Sequence, residues 1–260
     1  MARNDATSPA DRGPSWIDAS VAAACLLLVA GVAIPRGLEE RLAAEEASAV
    51  ATLRTLASCQ AQVQAAAWID TDGDGMGEHA TLGELAGSVG VRKGLRAGKG
   101  RPSDAGYAPL ASTFEKVGRA VKPPILPASL REVEGDGFVR KGGYVFIVFL
   151  PDAAAPAGWV HESRQGGQPG LSGGTGAVGV DLSETTWCAY GQPSRRGETG
   201  TKRFFVNQAW EVLQSPNETA RAQGADASFR PGAAFRGVGI TSEIAVGTRG
   251  GDGDLWTYAR

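Results

Sequence analysis

Histidine is almost missing from this chain. The two present, His79 and His161, are far apart in sequence and neither stands in a recognisable partner motif. No Gly-x-Ser-x-Gly, His-Glu-x-x-His, Walker or dinucleotide fingerprint occurs. Nucleophile–base pairs and nucleotide cradles are therefore without sequence support, and a non-enzymatic protein is expected. Charge of one sign is missing too. The 26 Lys and Arg against 28 Asp and Glu leave a net charge of −2, which gives no basic footprint for a nucleic-acid partner. The Gly-rich segment 166–176 lacks a following apolar helix, so phosphate binding has no structural support. Cysteine is scarce, with Cys25 in an apolar segment, Cys59 in a helical pattern and Cys188 in an expected strand. Cys59 and Cys188 either pair, if the head lies outside the cytoplasm, or remain buried thiols that behave as small apolar side chains.

Glycine is plentiful instead. Its 37 residues are about twice the usual share, and most follow residue 70, which points to a loop-rich, β-containing head. Residues Ala19 to Ile34 are almost wholly apolar, and with Trp16 the run approaches the length needed to cross a bilayer. After Pro35, Leu38, Leu42, Ala49, Leu53, Leu56, Val63 and Ala67 recur at helical spacing, with Gln60 and Gln64 largely off that stripe. One long helix bent near Pro35 is expected over 16–67. The predicted elements after it are a short helix within 82–89, an exposed loop over 91–107 and a helix from Ser112 or Thr113 to Val121. A central strand at Tyr144–Leu150 follows, then a strand at 185–190, a hairpin of 202–206 with 211–213, and terminal strands at 243–246 and 255–258. The fold class read from this is α+β, a long N-terminal helix, transmembrane then amphipathic, packed on an antiparallel β-sheet head.

The order Gly13, Asp18, apolar run, Pro35, alanine-rich helix resembles the amino-terminal arm of type IV pilins and type II secretion pseudopilins. Counted from Pro14 as the first mature residue, Asp18 is the fifth and Pro35 the twenty-second, the family's places for a carboxylate and a helix-kinking proline. The family usually has Phe and Glu where this chain has Pro14 and Asp18. The resemblance implies a leader over 1–13 cut after Gly13, a transmembrane helix over 14–35, an amphipathic arm over 36–68 and an extracytoplasmic head over 69–260. It also implies a pilin-like structural subunit of a type IV pilus or type II secretion-type assembly. That subunit would be single-pass in the inner membrane, with its head on the extracytoplasmic side and self-assembly through the helix, where Asp18 neutralises a neighbour's amino terminus. The other reading is an anchored extracytoplasmic binding or sensing module that never polymerises.

The sharpest candidate site is Asp70-Thr71-Asp72-Gly73-Asp74-Gly75-Met76-Gly77-Glu78. Alternating carboxylates followed by Gly imitate the start of an EF-hand-type loop, where a hard cation collects oxygens from successive odd positions. A Ca²⁺ ion is expected on Asp70, Asp72, Asp74, Met76 and Glu78, although Thr81 stands where such loops place their last carboxylate. The other reading of this stretch is a solvated Asp/Gly turn that ends the helix. Trp159, Trp187, Trp210 and Trp256 are expected to pack on the sheet.

Overall fold

The structure, a computed structural model, describes residues 16–95, 111–134, 137–153, 158–162, 168–169, 176–225 and 229–259. The chain forms two compact units, Met1–Arg41 and Leu42–Arg260. Its helices are α1 (Trp16–Ala65), α2 (Leu82–Ala86) and α3 (Val180–Thr185). The strands are β1 (Arg92–Leu95), β2 (Ala111–Val117), β3 (Phe138–Lys141), β4 (Tyr144–Pro151), β5 (Trp159–His161), β6 (Gln168–Pro169), β7 (Val178–Gly179), β8 (Cys188–Pro193), β9 (Arg203–Asn207), β10 (Leu213–Ser215), β11 (Thr248–Arg249) and β12 (Leu255–Tyr258). The larger sheet runs β11-β12-β10-β9-β8-β4-β5-β6, with β3 also on β4; β1, β2 and β7 form a second sheet. Every named pairing is antiparallel.

β4 organises the second unit. Its side chains alternate between two cores, as the period of a strand requires. Tyr144, Phe146, Val148 and Leu150 join Leu53, Leu56 and Val63, whereas Val145, Ile147 and Phe149 join Phe205, Phe235, Ile240 and Trp256. Both faces of β4 are buried, which is why its sequence is apolar at every position. The second core is closed by the 229–246 segment, which includes a 3-10 turn at Pro231–Ala234, rather than by an α-helix. Glu46 fastens α1 to the turn before β9: its carboxylate accepts from the Thr201 N–H and hydroxyl and pairs with Lys202 at 2.9 Å.

The expected class, a transmembrane-plus-amphipathic helix packed on a pilin-like head, is corrected. Among the described residues no helix is long and apolar enough to cross a membrane. A span needs roughly 20 consecutive apolar residues, and the apolar run of the first unit is bounded by Ser20 on one side and by Glu39, Glu40 and Arg41 on the other. The single-pass inner-membrane placement falls with the span. The architecture is mostly antiparallel sheet, and among the described residues α1 is the only helix longer than six residues. Two local expectations also change. The helix expected from Ser112 is strand β2, held between β1 and β7, and part of the expected 91–107 loop is strand β1. At α2 the expectation holds: Thr81 and Glu84 form a reciprocal capping box, and Gly87, at φ 62°, ends the helix.

Candidate cation site

The site is built where α1 ends. Trp68 donates its N–H back to the Val63 carbonyl, and Ile69 drops into the core. The next residues form a chain of side-chain-capped turns. Asp70 accepts from the N–H groups of Gly73 (2.7 Å) and Gly75 (3.2 Å), Asp72 from Asp74 (3.3 Å), and Asp74 from Met76 (2.7 Å). Gly73 and Gly75 sit at φ 80° and 93°, a region that glycine enters without strain. The turn is then drawn back onto the helix at Gly77, where an added Cβ would lie 2.0 Å from the Gln64 carbonyl oxygen. Backbone on both sides leaves no side chain to yield. Gly77→Ala is therefore expected to cost about 1–3 kcal/mol, measured by urea unfolding.

Beyond the turn, buried polar groups fix the chain against α1 and α3. The Gln60 amide, fully buried, donates to the Ala80 carbonyl (2.7 Å) and accepts from the Ala80 N–H (2.9 Å). This glutamine was expected off the buried stripe; it is inside because it satisfies a whole peptide group there. The Gln64 amide donates to the Glu184 carbonyl, and the His79 N–H donates to the Ser183 carbonyl at 2.8 Å. These bonds bring α3 beside the aspartate turn.

The carboxylates fall into two overlapping groups. Ligand oxygens of Asp70, Asp72 and Asp74 all lie within 4.8 Å of one another, and so do those of Asp72, Asp181 and Glu184. Asp181 and Glu184, three apart on α3, share one helix face. Glu184 is 6 % exposed as a residue, but its carboxylate oxygens reach solvent, since they are not among the sealed side-chain atoms without a hydrogen-bond partner. Burial first, and then the negative charge of Asp74, Asp72, Asp181 and Glu78, pushes its pKa up to about 7. Burial and the neighbouring Asp74 and Asp70 carboxylates also hold Asp72 above its usual range.

Glu78 stands apart from both groups. Its carboxylate accepts from Thr71, from the Ser183 hydroxyl and from Arg92, at 2.8 Å to the guanidinium. Arg92 also pairs with Glu84 at 2.6 Å, and all three side chains are buried. The Arg92 guanidinium is therefore committed to other partners. Met76 is exposed, and its N–H caps Asp74. Sequence reading missed Arg92, Asp181 and Glu184; the i, i+3 acidic pair on α3 was the only available signal.

Next to Glu184 lies a cleft of about 290 Å³, lined by Gln64, His79, Glu184, Trp187, Gln208 and Trp210 among others. The His79 ring is 4 % exposed and tilts against Trp187 at 5.7 Å. Its Nδ1 has no hydrogen-bond partner among the described residues. Burial, and then the Arg92 charge, lowers its pKa to about 4, so the imidazole is neutral near pH 7.

The chain matches no protein-family model, no curated protein and no solved structure. The site is thus read from its own geometry. The remaining expected residues are placed as follows. Cys59 and Cys188 are free thiols; Cys59 belongs to the helix-side core and Cys188 to the opposite one, so the sheet stands between them. Burial raises both thiol pKa values, Cys188 most, which leaves them as inert core side chains. Gly13 and Pro14 lie outside the described residues, as does the Asp18 side chain, although Asp18 is within α1.

Proposed function

We propose that the chain is a non-catalytic structural or binding subunit whose β-rich head is organised by a divalent cation of the calcium class. One observation carries this reading: five carboxylates, Asp70, Asp72, Asp74, Asp181 and Glu184, converge in two overlapping groups, and among the described residues none is in an ion pair. Carboxylate oxygens are hard donors, and a ligand set with no nitrogen or sulfur suits Ca²⁺ or Mg²⁺ rather than zinc or copper. The irregular turn favours Ca²⁺, because Mg²⁺ demands near-octahedral geometry.

Thermal unfolding tests it. A ligand that binds only the folded state at a hundred times its Kd adds about 2.7 kcal/mol. In a unit of this size that is a rise of roughly 5–10 °C. Calcium against EDTA is expected to give such a rise, magnesium a smaller one, and Asp72→Ala to remove most of it. An unchanged melting temperature in the wild type sinks the cation reading and leaves a solvated turn.

A second reading, assembly through the helix, has its own observation. In the first unit α1 leaves Trp16 80 % exposed, Val21 58 % and Leu38 56 %. Sedimentation of the full chain is expected to show self-association that Trp16→Ser with Leu38→Ser abolishes. A monomer at every concentration overturns it.

A further inference from the structure

We propose that the cleft beside α3 binds an organic ammonium cation, with the Trp210 indole against its apolar substituents and the Glu184 carboxylate as counter-charge. The inference goes beyond the calcium reading and stands without it, because it starts from a different feature, the turn between β9 and β10. That turn is closed by the Trp210 N–H on the Asn207 carbonyl (3.0 Å) and by the Ala209 N–H on the Asn207 side chain (3.0 Å). Trp210 follows at φ 66°. Hairpins commonly give such a left-handed place to glycine, because an L side chain there crowds its own backbone. A bulky residue in that conformation is an outlier. Trp210 is also 54 % exposed, so burial does not repay the strain. Backbone strain of this kind is kept where a site needs the side chain it displays.

Trp210 lines the cleft of about 290 Å³ together with Trp187, His79, Glu184 and Gln208, a space at the lower edge of small-molecule pockets. Three of these residues carry aromatic rings. The rings of Trp187 and His79 tilt against each other at 5.7 Å, and the hairpin supplies the third. The Gln208 side chain accepts from the Trp187 N–H at 3.4 Å, which ties the hairpin turn to the chain leaving α3. Charge then selects the ligand. Among the described residues no lysine or arginine lines the cleft, and the Arg92 guanidinium that acts on His79 is paired with Glu78 and Glu84. Glu184 presents carboxylate oxygens that reach solvent, and Asp74, Asp72, Asp181 and Glu78 add negative potential around it. An anion is repelled there. A cation gains from the carboxylate and from the rings, tryptophan most. An ammonium with alkyl substituents uses both, since its charge is spread over an apolar surface that an indole can cover.

Calorimetric titration of tetramethylammonium chloride into the full chain tests this, with EDTA present and an equal concentration of sodium chloride as the blank. Saturable binding is expected in the wild type. Trp210→Gly is expected to weaken it by about tenfold and Glu184→Gln several-fold. Trp210→Phe keeps a ring and should keep most of the binding. Trp68→Ala, at an exposed tryptophan outside the cleft, should leave it unchanged. Without ligand, Trp210→Gly should raise the urea midpoint, because glycine enters φ 66° without strain. Opposite effects on binding and stability separate recognition from packing. A lower midpoint means that the indole holds the fold, and it overturns the proposal. Equal affinity in wild type and Trp210→Gly places the site elsewhere, and no binding beyond the sodium blank removes it. Methyl β-glucopyranoside, a neutral probe, is expected not to bind; if it binds and tetramethylammonium does not, the cation assignment is wrong. Choline and vesicles of phosphatidylcholine, run separately, distinguish a free ligand from a lipid headgroup, and loss of the bound one in Trp210→Gly supports the site.

Discussion

Replacing Arg92 with methionine is expected to destabilise the head by about 3–5 kcal/mol, the cost of removing one partner from a buried ion pair. The guanidinium is fully buried and donates four bonds, to the Glu84 carboxylate, the Ser112 hydroxyl, the Glu78 carboxylate and the His79 carbonyl, while the Arg92 backbone N–H donates separately to Glu84. Burial alone pulls its pKa down, but the charges of Glu84 and Glu78 outweigh that and the net shift is upward. Methionine fills similar space and leaves two buried carboxylates facing each other without a cation. Urea unfolding should therefore show a lower midpoint with an unchanged slope. Adding Glu78→Gln and Glu84→Gln to Arg92→Met should recover part of the loss, since the carboxylates are then neutral. No recovery means the loss came from packing rather than charge.

The second large effect is in pH. His79 has a folded pKa of about 4 against an ordinary value of 6.5. Between those values the unfolded chain takes up a proton that the folded chain refuses, so this group's contribution is intact above pH 6.5 and is lost as pH falls toward 4. The gap amounts to about 3 kcal/mol. Wild type and His79→Gln, compared in EDTA by denaturant unfolding at pH 7 and pH 4, should differ by that much more at pH 4. The wild type is expected to lose the additional stability. Taking the difference between the two proteins cancels the carboxylates that titrate over the same range. A pH-independent difference would show that the ring is not as dry as its 4 % exposure implies.

Parts of this structure were legible before it was seen. β4 declared itself by an unbroken apolar run, because both of its faces are covered. The β9–β10 hairpin followed from turn chemistry, and the helix at 82 lies within the short helix expected over 82–89. The misread segments share a cause. Ser112 and Thr113 look like a helix cap, yet pairing with β1 and β7 overrides local preference. Arg92 reads as an exposed loop residue, because only tertiary structure brings Glu78 and Glu84 to it. For the candidate site, the Asp70–Asp74 turn was visible as a motif, whereas Asp181 and Glu184 carry none. Their approach depends on Gln60 and Gln64, whose amides hold the chain after the turn and α3 against the helix. Hydropathy of the first unit suggested a membrane span that the described helix does not provide.

Diffraction from crystals soaked with Tb³⁺, a calcium substitute with a strong anomalous signal, tests the central claim most directly. The account predicts a strong peak beside α1's end, with oxygens of Asp72 and its neighbouring carboxylates at roughly 2.3–2.6 Å. A map with no peak at either carboxylate group would contradict it.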